Sequence, residues 1–149
     1  MYNILKAENL CKFYFNKTAL QGANLTIKQG RIVGLLGPNG SGKTTFLKIA
    51  AGLLHPSDGS IVIDGREPGV YTKSIVSYLP DTEYLFKWMK VKDAVEYFKD
   101  FYLDFDEKKA AELLKFMRLD RNMRVKNLSK GMKEKLKLTL VLSRKAKLY

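Results

Sequence analysis

The stretch GPNGSGKTT, Gly37 to Thr45, is the most informative part of the sequence. It matches the pattern G-x-x-x-x-G-K-[ST], in which glycines let the backbone turn tightly and direct its N–H groups toward one point. In this pattern Lys43 can bridge the β- and γ-phosphates of a nucleoside triphosphate, and Thr44 can offer its hydroxyl to Mg²⁺. We therefore predict a triphosphate-binding loop that consists of Gly37, Pro38, Asn39, Gly40, Ser41, Gly42, Lys43, Thr44 and Thr45.

The segments on either side of the loop have the character that such a loop requires. RIVGLLG, residues 31–37, is a continuous apolar run that is typical of a central strand buried on both faces. KTTFLKIAAGLL, residues 43–54, predicts a helix. The apolar stripe of this helix comprises Phe46, Ile49, Ala50, Leu53 and Leu54. The positive N-terminus of the helix would face the bound anion.

The loop indicates a class of ligand and not a function, because GTPases, kinases, helicases and transporters all use it. A GTPase would also need an Asn-Lys-x-Asp motif that reads the base. The one Asn-Lys pair begins at Asn16, lies before the loop and is followed by Thr18 and Ala19, with Ala in the Asp position. We therefore exclude a GTPase.

Composition indicates a globular chain that works in a reducing compartment. The chain has 149 residues, is 46% hydrophobic and contains a single cysteine, Cys11, which excludes an internal disulfide. The N-terminus does not resemble a signal peptide, and no window approaches ~18 consecutive apolar residues. We expect a cytoplasmic protein, or one on the cytoplasmic face of a membrane.

Positive charge is concentrated toward the C-terminus. The net charge is +12, and from Lys115 onward twelve Lys or Arg residues stand against Asp120 and Glu134. Such a segment suits nucleic acid, an anionic membrane surface or a polyphosphate ligand, and it is equally typical of a solvated helix face.

The remaining patterns predict strands in the first half and helices in the second. YNILKAENL and ANLTIKQG alternate apolar and polar residues, which favours antiparallel strands within residues 1–30. IVIDG predicts a short strand that ends in an Asp-Gly turn, and SIVSYLP, residues 74–80, predicts another buried strand. From about Trp88 the spacing is helical, with Asp106 and Ser129 as candidate N-caps for two of the helices.

NLSKGMKEKLKL, residues 127–138, resembles the signature motif of the ABC-type ATPase family, which usually reads Leu-Ser-Gly-Gly-Gln. Leu128, Ser129 and Gly131 match the motif, whereas Lys130 replaces a Gly and Met132 replaces a Gln. A Ser N-cap followed by Gly opens a helix whose N-terminus attracts anions. The resemblance implies that this helix end contacts the γ-phosphate held by a partner's loop, so that nucleotide clamps a head-to-tail dimer.

Two further segments are similar to the same family. LCKFYFNKTAL, residues 10–20, resembles its adenine-stacking loop, with Tyr14 in the aromatic position and Phe13 and Phe15 as competitors. SYLPD, residues 77–81, lies where the family has its Q-loop, and Asp81 stands in place of the usual Gln. An Asp there can accept a hydrogen bond from a metal-bound water, so Thr44 and Asp81 are the predicted metal contacts.

The resemblance implies an α/β fold: a P-loop NTPase core with an N-terminal antiparallel β subdomain and a helical subdomain, incomplete at the C-terminus. The implied subdivision is residues 1–30 and about 58–66 for the β subdomain, 31–55 and 74–81 for the P-loop core, about 82–135 for the helical subdomain, and 136–149 for the return to the core.

The family's later catalytic elements have no counterpart in this sequence. The resemblance implies a Walker B strand that ends in Asp-Glu and a switch histidine after the signature helix, and KAKLY, residues 145–149, is similar to the start of that strand. Asp64 precedes Gly65 and reads as a turn residue, Asp106 and Glu107 read as a helix start, and His55 reads as a surface loop residue. We expect a truncated, marginally stable chain with weak nucleotide affinity and no effective hydrolysis.

The predicted function is the ATP-binding subunit of an ABC transporter, with ATP and Mg²⁺ as cofactors. Its partners would be a transmembrane permease subunit, which docks on residues 88–123 with Phe86, Trp88 and Met89 as plausible contacts, and a second ATPase subunit in a homodimer or a pair. The chain would then lie on the inner face of the cell membrane. The alternatives are a nucleic-acid-associated ABC ATPase, which fits the charge but is disfavoured because no second ATPase domain is present, and a non-hydrolysing nucleotide-binding module.

Overall fold

The computed structural model describes residues 2–149, which divide into two compact units. One unit comprises residues 2–76 with Leu148, and the other comprises residues 77–147 with Tyr149. We refer to them as the sheet unit and the helical unit. No helix within residues 2–149 has the length and the apolar character that crossing a bilayer requires.

The sheet unit is built on three antiparallel strands, two in the region where the alternating patterns predict strands and one where IVIDG predicts a short strand. Strands β1 (Asn3–Tyr14) and β2 (Lys17–Lys28) form a hairpin, and β3 (Asp58–Ile63) pairs with the other edge of β1, which gives the order β2-β1-β3. The Asp-Gly turn after β3 is confirmed, because Asp64 and Gly65 both have positive φ, at 51° and 75°.

Helix α1 (Lys43–Ala50) covers one face of this sheet. Phe46 and Ile49 of the predicted apolar stripe are buried against the sheet residues Leu5, Leu10 and Ile61. Leu53 of the same stripe is exposed, because the helix ends at Ala50 and the chain turns there.

The prediction that residues 31–37 form a buried central strand is wrong for this structure. The segment has no regular secondary structure, and its apolar side chains are exposed, with Ile32 at 105% and Leu36 at 93%. A strand that is apolar on both faces needs hydrogen-bonded neighbours on its edges and packing on its faces. Strand β1 pairs with β2 on one edge and with β3 on the other, and within residues 2–149 no strand pairs with this segment.

The predicted strand over residues 74–80 is also largely replaced by other structure. Helix α2 (Val70–Ile75) occupies its first residues. Val76 then forms an isolated parallel bridge with Leu148, whose N–H donates to the Ile75 carbonyl at 3.2 Å. Val76 is the one residue of this segment that pairs as a strand residue does. A single paired residue, Leu148, cannot extend into a ladder of strand hydrogen bonds.

The helical unit contains α3 (Val91–Phe101), α4 (Glu107–Phe116), a 3₁₀ turn (Val125–Asn127) and α5 (Lys130–Leu142). Its core is one cluster of buried side chains from all four elements. The core includes Val91, Val95 and Phe98 on α3, Leu114 on α4, Val125 on the 3₁₀ turn, and Leu136 and Leu140 on α5. The prediction of helices from about Trp88 is confirmed.

The last residues of the helical unit pair with the loop before α4, which the sequence did not indicate. The N–H of Asp106 donates to the Ser143 carbonyl at 2.7 Å, and the N–H of Lys145 donates to the Asp104 carbonyl at 2.9 Å. The buried Arg144 donates through Nε to the Asp104 carboxylate at 3.0 Å and lies over the ring of Tyr102. Arg144 is therefore a structural residue whose buried charge is paired.

Candidate nucleotide-binding site

The predicted phosphate loop lies in the sheet unit, between the irregular segment 31–36 and helix α1. Gly40 and Gly42 have φ values of 82° and 90°, which side chains with a Cβ rarely adopt. At Gly42 a Cβ would also lie 2.6 Å from the Ala19 carbonyl oxygen and 2.9 Å from Leu20 Cδ1. Gly42, the N-cap of α1, therefore lets strand β2 approach the N-terminus of the helix closely.

The ammonium group of Lys43 lies inside the turn that the loop makes. Nζ donates to the carbonyl oxygens of Gly37 and Pro38, both at 2.7 Å, and to Oγ of Ser41 at 3.3 Å. The N–H of Ser41 donates to the Pro38 carbonyl at 3.3 Å and closes the turn. The loop thus surrounds its own cation with oxygen acceptors, which phosphate oxygens could replace.

The remaining loop residues are accessible to a ligand. Pro38, Asn39, Gly40, Ser41 and Thr44 are exposed, and Thr45 is half-buried at the first turn of α1. The first turn of α1 carries no acidic residue, so nothing there opposes an anion. The ammonium group and the exposed hydroxyls are a donor set that fits a phosphate group. Within residues 2–149 no group of three or more His, Cys, Asp or Glu residues could hold a metal ion by itself.

Tyr14 is the last residue of β1 and is half exposed, next to the hairpin tip where Phe15 is fully exposed at φ 41°. The ammonium of Lys12 lies over the Tyr14 ring, 5.1 Å from its centroid. This contact of Lys12 is not predicted in the sequence analysis. The spacing indicates it, because Lys12 and Tyr14 are two residues apart on a strand and side chains at that spacing share a face.

The predicted signature residues lie at the N-terminus of α5 in the helical unit. Ser129 is the N-cap, and its Oγ accepts a hydrogen bond from the N–H of Met132 at 3.2 Å, as predicted. Leu128 is buried and anchors the turn in the core, whereas Ser129, Lys130 and Gly131 are exposed. The first turn of α5 contains no acidic residue, so the helix end and Lys130 together present positive charge.

Asp81 lies exposed in an irregular segment of the helical unit. Its charge acts on a neighbour: burial first, and the Asp81 carboxylate second, raise the pKa of Tyr78 above its ordinary value.

Asp64 and Asp106, which the sequence indicates are structural and not catalytic, both have structural contacts. The Asp64 carboxylate accepts a hydrogen bond from the hydroxyl of Tyr71. Asp106 caps α4, where its carboxylate accepts from the N–H of Lys109 at 3.0 Å. His55 is exposed in the turn after α1, as predicted.

A basic surface on the helical unit was not predicted in this form. Segments 87–92 and 121–126 run side by side, joined by the N–H of Val125 to the Met89 carbonyl at 2.8 Å and the N–H of Val91 to the Met123 carbonyl at 2.9 Å. We call their cationic side chains the basic ladder. It consists of Lys87, Lys90 and Lys92 on one segment and Arg121, Arg124 and Lys126 on the other.

Comparison with known proteins identifies the family. A sequence profile described as "ABC transporter" matches residues 20–149. This chain belongs to the ABC transporter family. Members of the family bind and hydrolyse ATP, and the chain's phosphate loop and signature residues lie within the matched region.

Individual relatives agree with this assignment. The chain is 32% identical to the ABC transporter ATP-binding protein YxlF of Bacillus subtilis (strain 168) over 97% of its own length and 50% of the relative's. It thus spans about half the length of this curated relative. The ABC transporter cassette MJ0796 has been solved as a dimer and in a form bound to ADP and Pi. The dimer structure is 26% identical, with a TM-score of 0.81 over 95% of this chain and 70% of that one.

A third match belongs to a larger assembly. The protein cbiO1 from Clostridium perfringens, part of the ABC transporter complex cbiONQ, is 26% identical, with a TM-score of 0.76. The match covers 98% of this chain and 63% of that one. The structural neighbours are ABC ATP-binding domains, so the fold is that of an incomplete P-loop NTPase domain with an antiparallel β sheet, as predicted.

Proposed function

We propose that this chain is the ATP-binding part of an ABC transporter subunit and that it holds Mg-ATP through residues 37–45. The observation that carries the proposal is the Lys43 ammonium enclosed by the loop at the N-terminus of α1, with contacts of 2.7 Å to two loop carbonyls. On ATP binding, Nζ exchanges these carbonyls for β- and γ-phosphate oxygens. The Thr44 hydroxyl would be a side-chain contact to Mg²⁺, which would offset the negative charge of the phosphates.

Other residues contact the adenine base and the nucleotide of the second subunit. Tyr14 stacks on adenine, which needs an accessible ring face and does not read the edge of the base. Ser129 and Gly131, with Lys130 beside them, contact the γ-phosphate held by the partner's loop in a homodimer or a pair of ATPase subunits. A role for Asp81 near the metal-bound water stays a prediction.

The membrane partner is a permease subunit that docks on the helical unit, residues 88–123. Phe86 and Trp88 support this proposal because their rings stack at 5.9 Å between centroids and both side chains are more than half exposed. Met89, the third predicted contact, is instead buried in the core of the helical unit and is not available to a partner. The chain would then lie on the inner face of the membrane.

Nucleotide binding is tested by comparing Lys43→Ala with Lys48→Ala. Both changes remove one lysine from α1, but only Lys43 contacts the loop. By isothermal titration with Mg-ATP, we expect Lys43→Ala to weaken binding at least about tenfold, or ~1.4 kcal/mol, and Lys48→Ala to have little effect. Equal affinity of the two variants would refute the proposed site.

A nucleic-acid-associated ATPase is a second candidate, and the basic ladder favours it. Six cations on two hydrogen-bonded segments could follow a phosphate backbone. Binding of a single-stranded oligonucleotide with a steep salt dependence, lost on reversing Arg121 and Arg124 to Glu, would support this candidate. Copurification with a permease subunit would support the first.

A non-hydrolysing binding module is a third candidate. We expect this chain to bind ATP and release phosphate very slowly, because the first turn of α1, at the end of the loop, carries no acidic residue that could act as a general base. Phosphate release at rates typical of the family would exclude this candidate and contradict our expectation.

A further inference from the structure

The end of strand β1 is tied to the turn that follows helix α1. The ammonium of Lys12 donates to the His55 carbonyl at 2.8 Å. The N–H of Phe13 donates to Ser57 Oγ at 3.1 Å, and the N–H of Ser57 donates to the Cys11 carbonyl at 2.9 Å. These three bonds join residues 11–13 to residues 55–57.

The same turn is joined to the helix that begins in the phosphate loop. The N–H of Ala51 donates to the Leu47 carbonyl at 2.9 Å, and the N–H of Leu53 donates to the Lys48 carbonyl at 2.8 Å. Residues 51–53, which lead from α1 to this turn, are therefore hydrogen-bonded to the helix. The segment around Tyr14 and the phosphate-loop helix are thus connected within the sheet unit by short hydrogen bonds.

Lys12 has a second contact, with the ring of Tyr14. Its Nζ lies 5.1 Å from the ring centroid, a distance at which an ammonium is attracted to an aromatic face. The hydrogen bond to His55 fixes the ammonium, and the ammonium in turn restricts the ring. The cation occupies one face of the Tyr14 ring and the residue is 42% exposed, so a base would stack on the opposite face.

We propose that Lys12 is a positioning residue that holds the Tyr14 ring ready to stack on the base of the nucleotide. The inference rests on the proposed function, in which Tyr14 stacks on adenine. A ring that is ordered before binding loses less conformational entropy when the base arrives, so the benefit is greater affinity for the base-bearing ligand. Lys12 acts through Tyr14 and does not contact phosphate.

The test compares two ligands, Mg-ATP and inorganic tripolyphosphate, by isothermal titration. Lys12→Met keeps the aliphatic stem and removes the charge and the donor. We expect this variant to bind Mg-ATP about two- to fivefold more weakly and tripolyphosphate unchanged. Lys12→Arg, which keeps a cation and donors, should retain most of the ATP affinity.

The matched control is Lys6→Met, which removes one exposed charge from the same strand, where Lys6 pairs with Glu8 at 2.8 Å. It should leave both affinities unchanged. Ser57→Ala removes a different bond of the same connection and should weaken ATP binding without affecting tripolyphosphate, which covers the case in which Lys12→Met fails to fold.

A double variant decides whether Lys12 acts through the ring. If it does, Tyr14→Ala and Lys12→Met/Tyr14→Ala bind ATP equally well. Additive effects, an equal loss for both ligands, or no effect of Lys12→Met would each overturn the inference while leaving the proposed function intact. A wild-type chain that binds neither ligand would instead refute the proposed function, and the inference with it.

Discussion

The two units differ in how they bury similar apolar side chains. Leu136 and Leu140 of α5 are fully buried in the core of the helical unit, whereas Ile32 and Leu36 of the sheet unit are fully exposed. A helix satisfies its backbone hydrogen bonds internally and needs only one face covered, which α3 and α4 do for α5. A central strand needs neighbouring strands for its backbone and packing on both faces for its side chains.

The difference bears on the site because the phosphate loop is fixed at one end only. Its C-terminal end begins α1, which packs on the sheet and is held close to β2 at Gly42. Its N-terminal end follows the exposed segment 31–36. If the loop binds a triphosphate as proposed, we expect its affinity to depend on how firmly residues 31–36 are held.

The largest expected effect comes from a matched pair of leucine truncations. Leu136→Ala leaves a cavity in a closed core and should lower the free energy of unfolding by about 3–4 kcal/mol. Leu36→Ala removes a side chain that is 93% exposed and should change it by less than about 0.5 kcal/mol. Urea unfolding followed by far-UV circular dichroism measures both, and Trp88 fluorescence reports on the helical unit. A large loss for Leu36→Ala would mean that segment 31–36 is buried in solution.

The features that depend on local interactions could be predicted from the sequence. The hairpin of β1 and β2, the Asp64–Gly65 turn and the N-caps Asp106 and Ser129 depend on residues close together in the chain, and the structure contains all of them. The signature and phosphate-loop motifs are local patterns as well, and the ligand contacts of their residues stay predictions.

The features that depend on residues distant in the sequence could not be predicted from it. An apolar run such as 31–37 predicts a strand only on the assumption that neighbours exist, and the run itself does not carry that information. The contact of Arg144 with Asp104 and the hydrogen bond of Lys12 to His55 join residues more than 35 apart, so no local pattern indicates them.

The next largest effect tests the fixed end of the phosphate loop. Gly42→Ala places a Cβ within 2.6 Å of the Ala19 carbonyl at φ 90° and should destabilise the sheet unit by about 2–3 kcal/mol. Gly40→Ala shares the positive φ but meets nothing within 4 Å, so it should cost about 1 kcal/mol. Hydrogen exchange of the β2 and α1 amides measures the destabilisation caused by each variant. Equal costs would show that β2 does not approach α1 this closely.

A smaller effect tests the N-terminus of α5 in the helical unit. Ser129→Ala removes the acceptor for the N–H of Met132 and should cost about 1 kcal/mol. Ser129→Asp should recover that loss, because a carboxylate both caps the helix and favours its positive end. Thermal unfolding followed by circular dichroism provides the measurement. If Asp were as destabilising as Ala, Ser129 would not act as the N-cap.

The smallest effect concerns pH and the N-terminus of α4. The N–H of Lys109 first, and then Lys145, lower the pKa of Asp106, and Lys99 lowers the pKa of Glu107. A carboxyl whose pKa is lowered in the folded state stabilises the fold fully at a pH above its ordinary pKa, near 3.9 for Asp. This contribution is lost as the pH falls through the folded-state pKa.

Asp106→Asn keeps an acceptor for Lys109 and removes the titration. Unfolding midpoints measured between about pH 6 and pH 2.5 should therefore fall less steeply with acid in Asp106→Asn than in the wild type, with Glu107→Gln as the comparison at the next position. Parallel curves for Asp106→Asn and the wild type would mean that the Asp106 carboxylate is not held by α4 in solution.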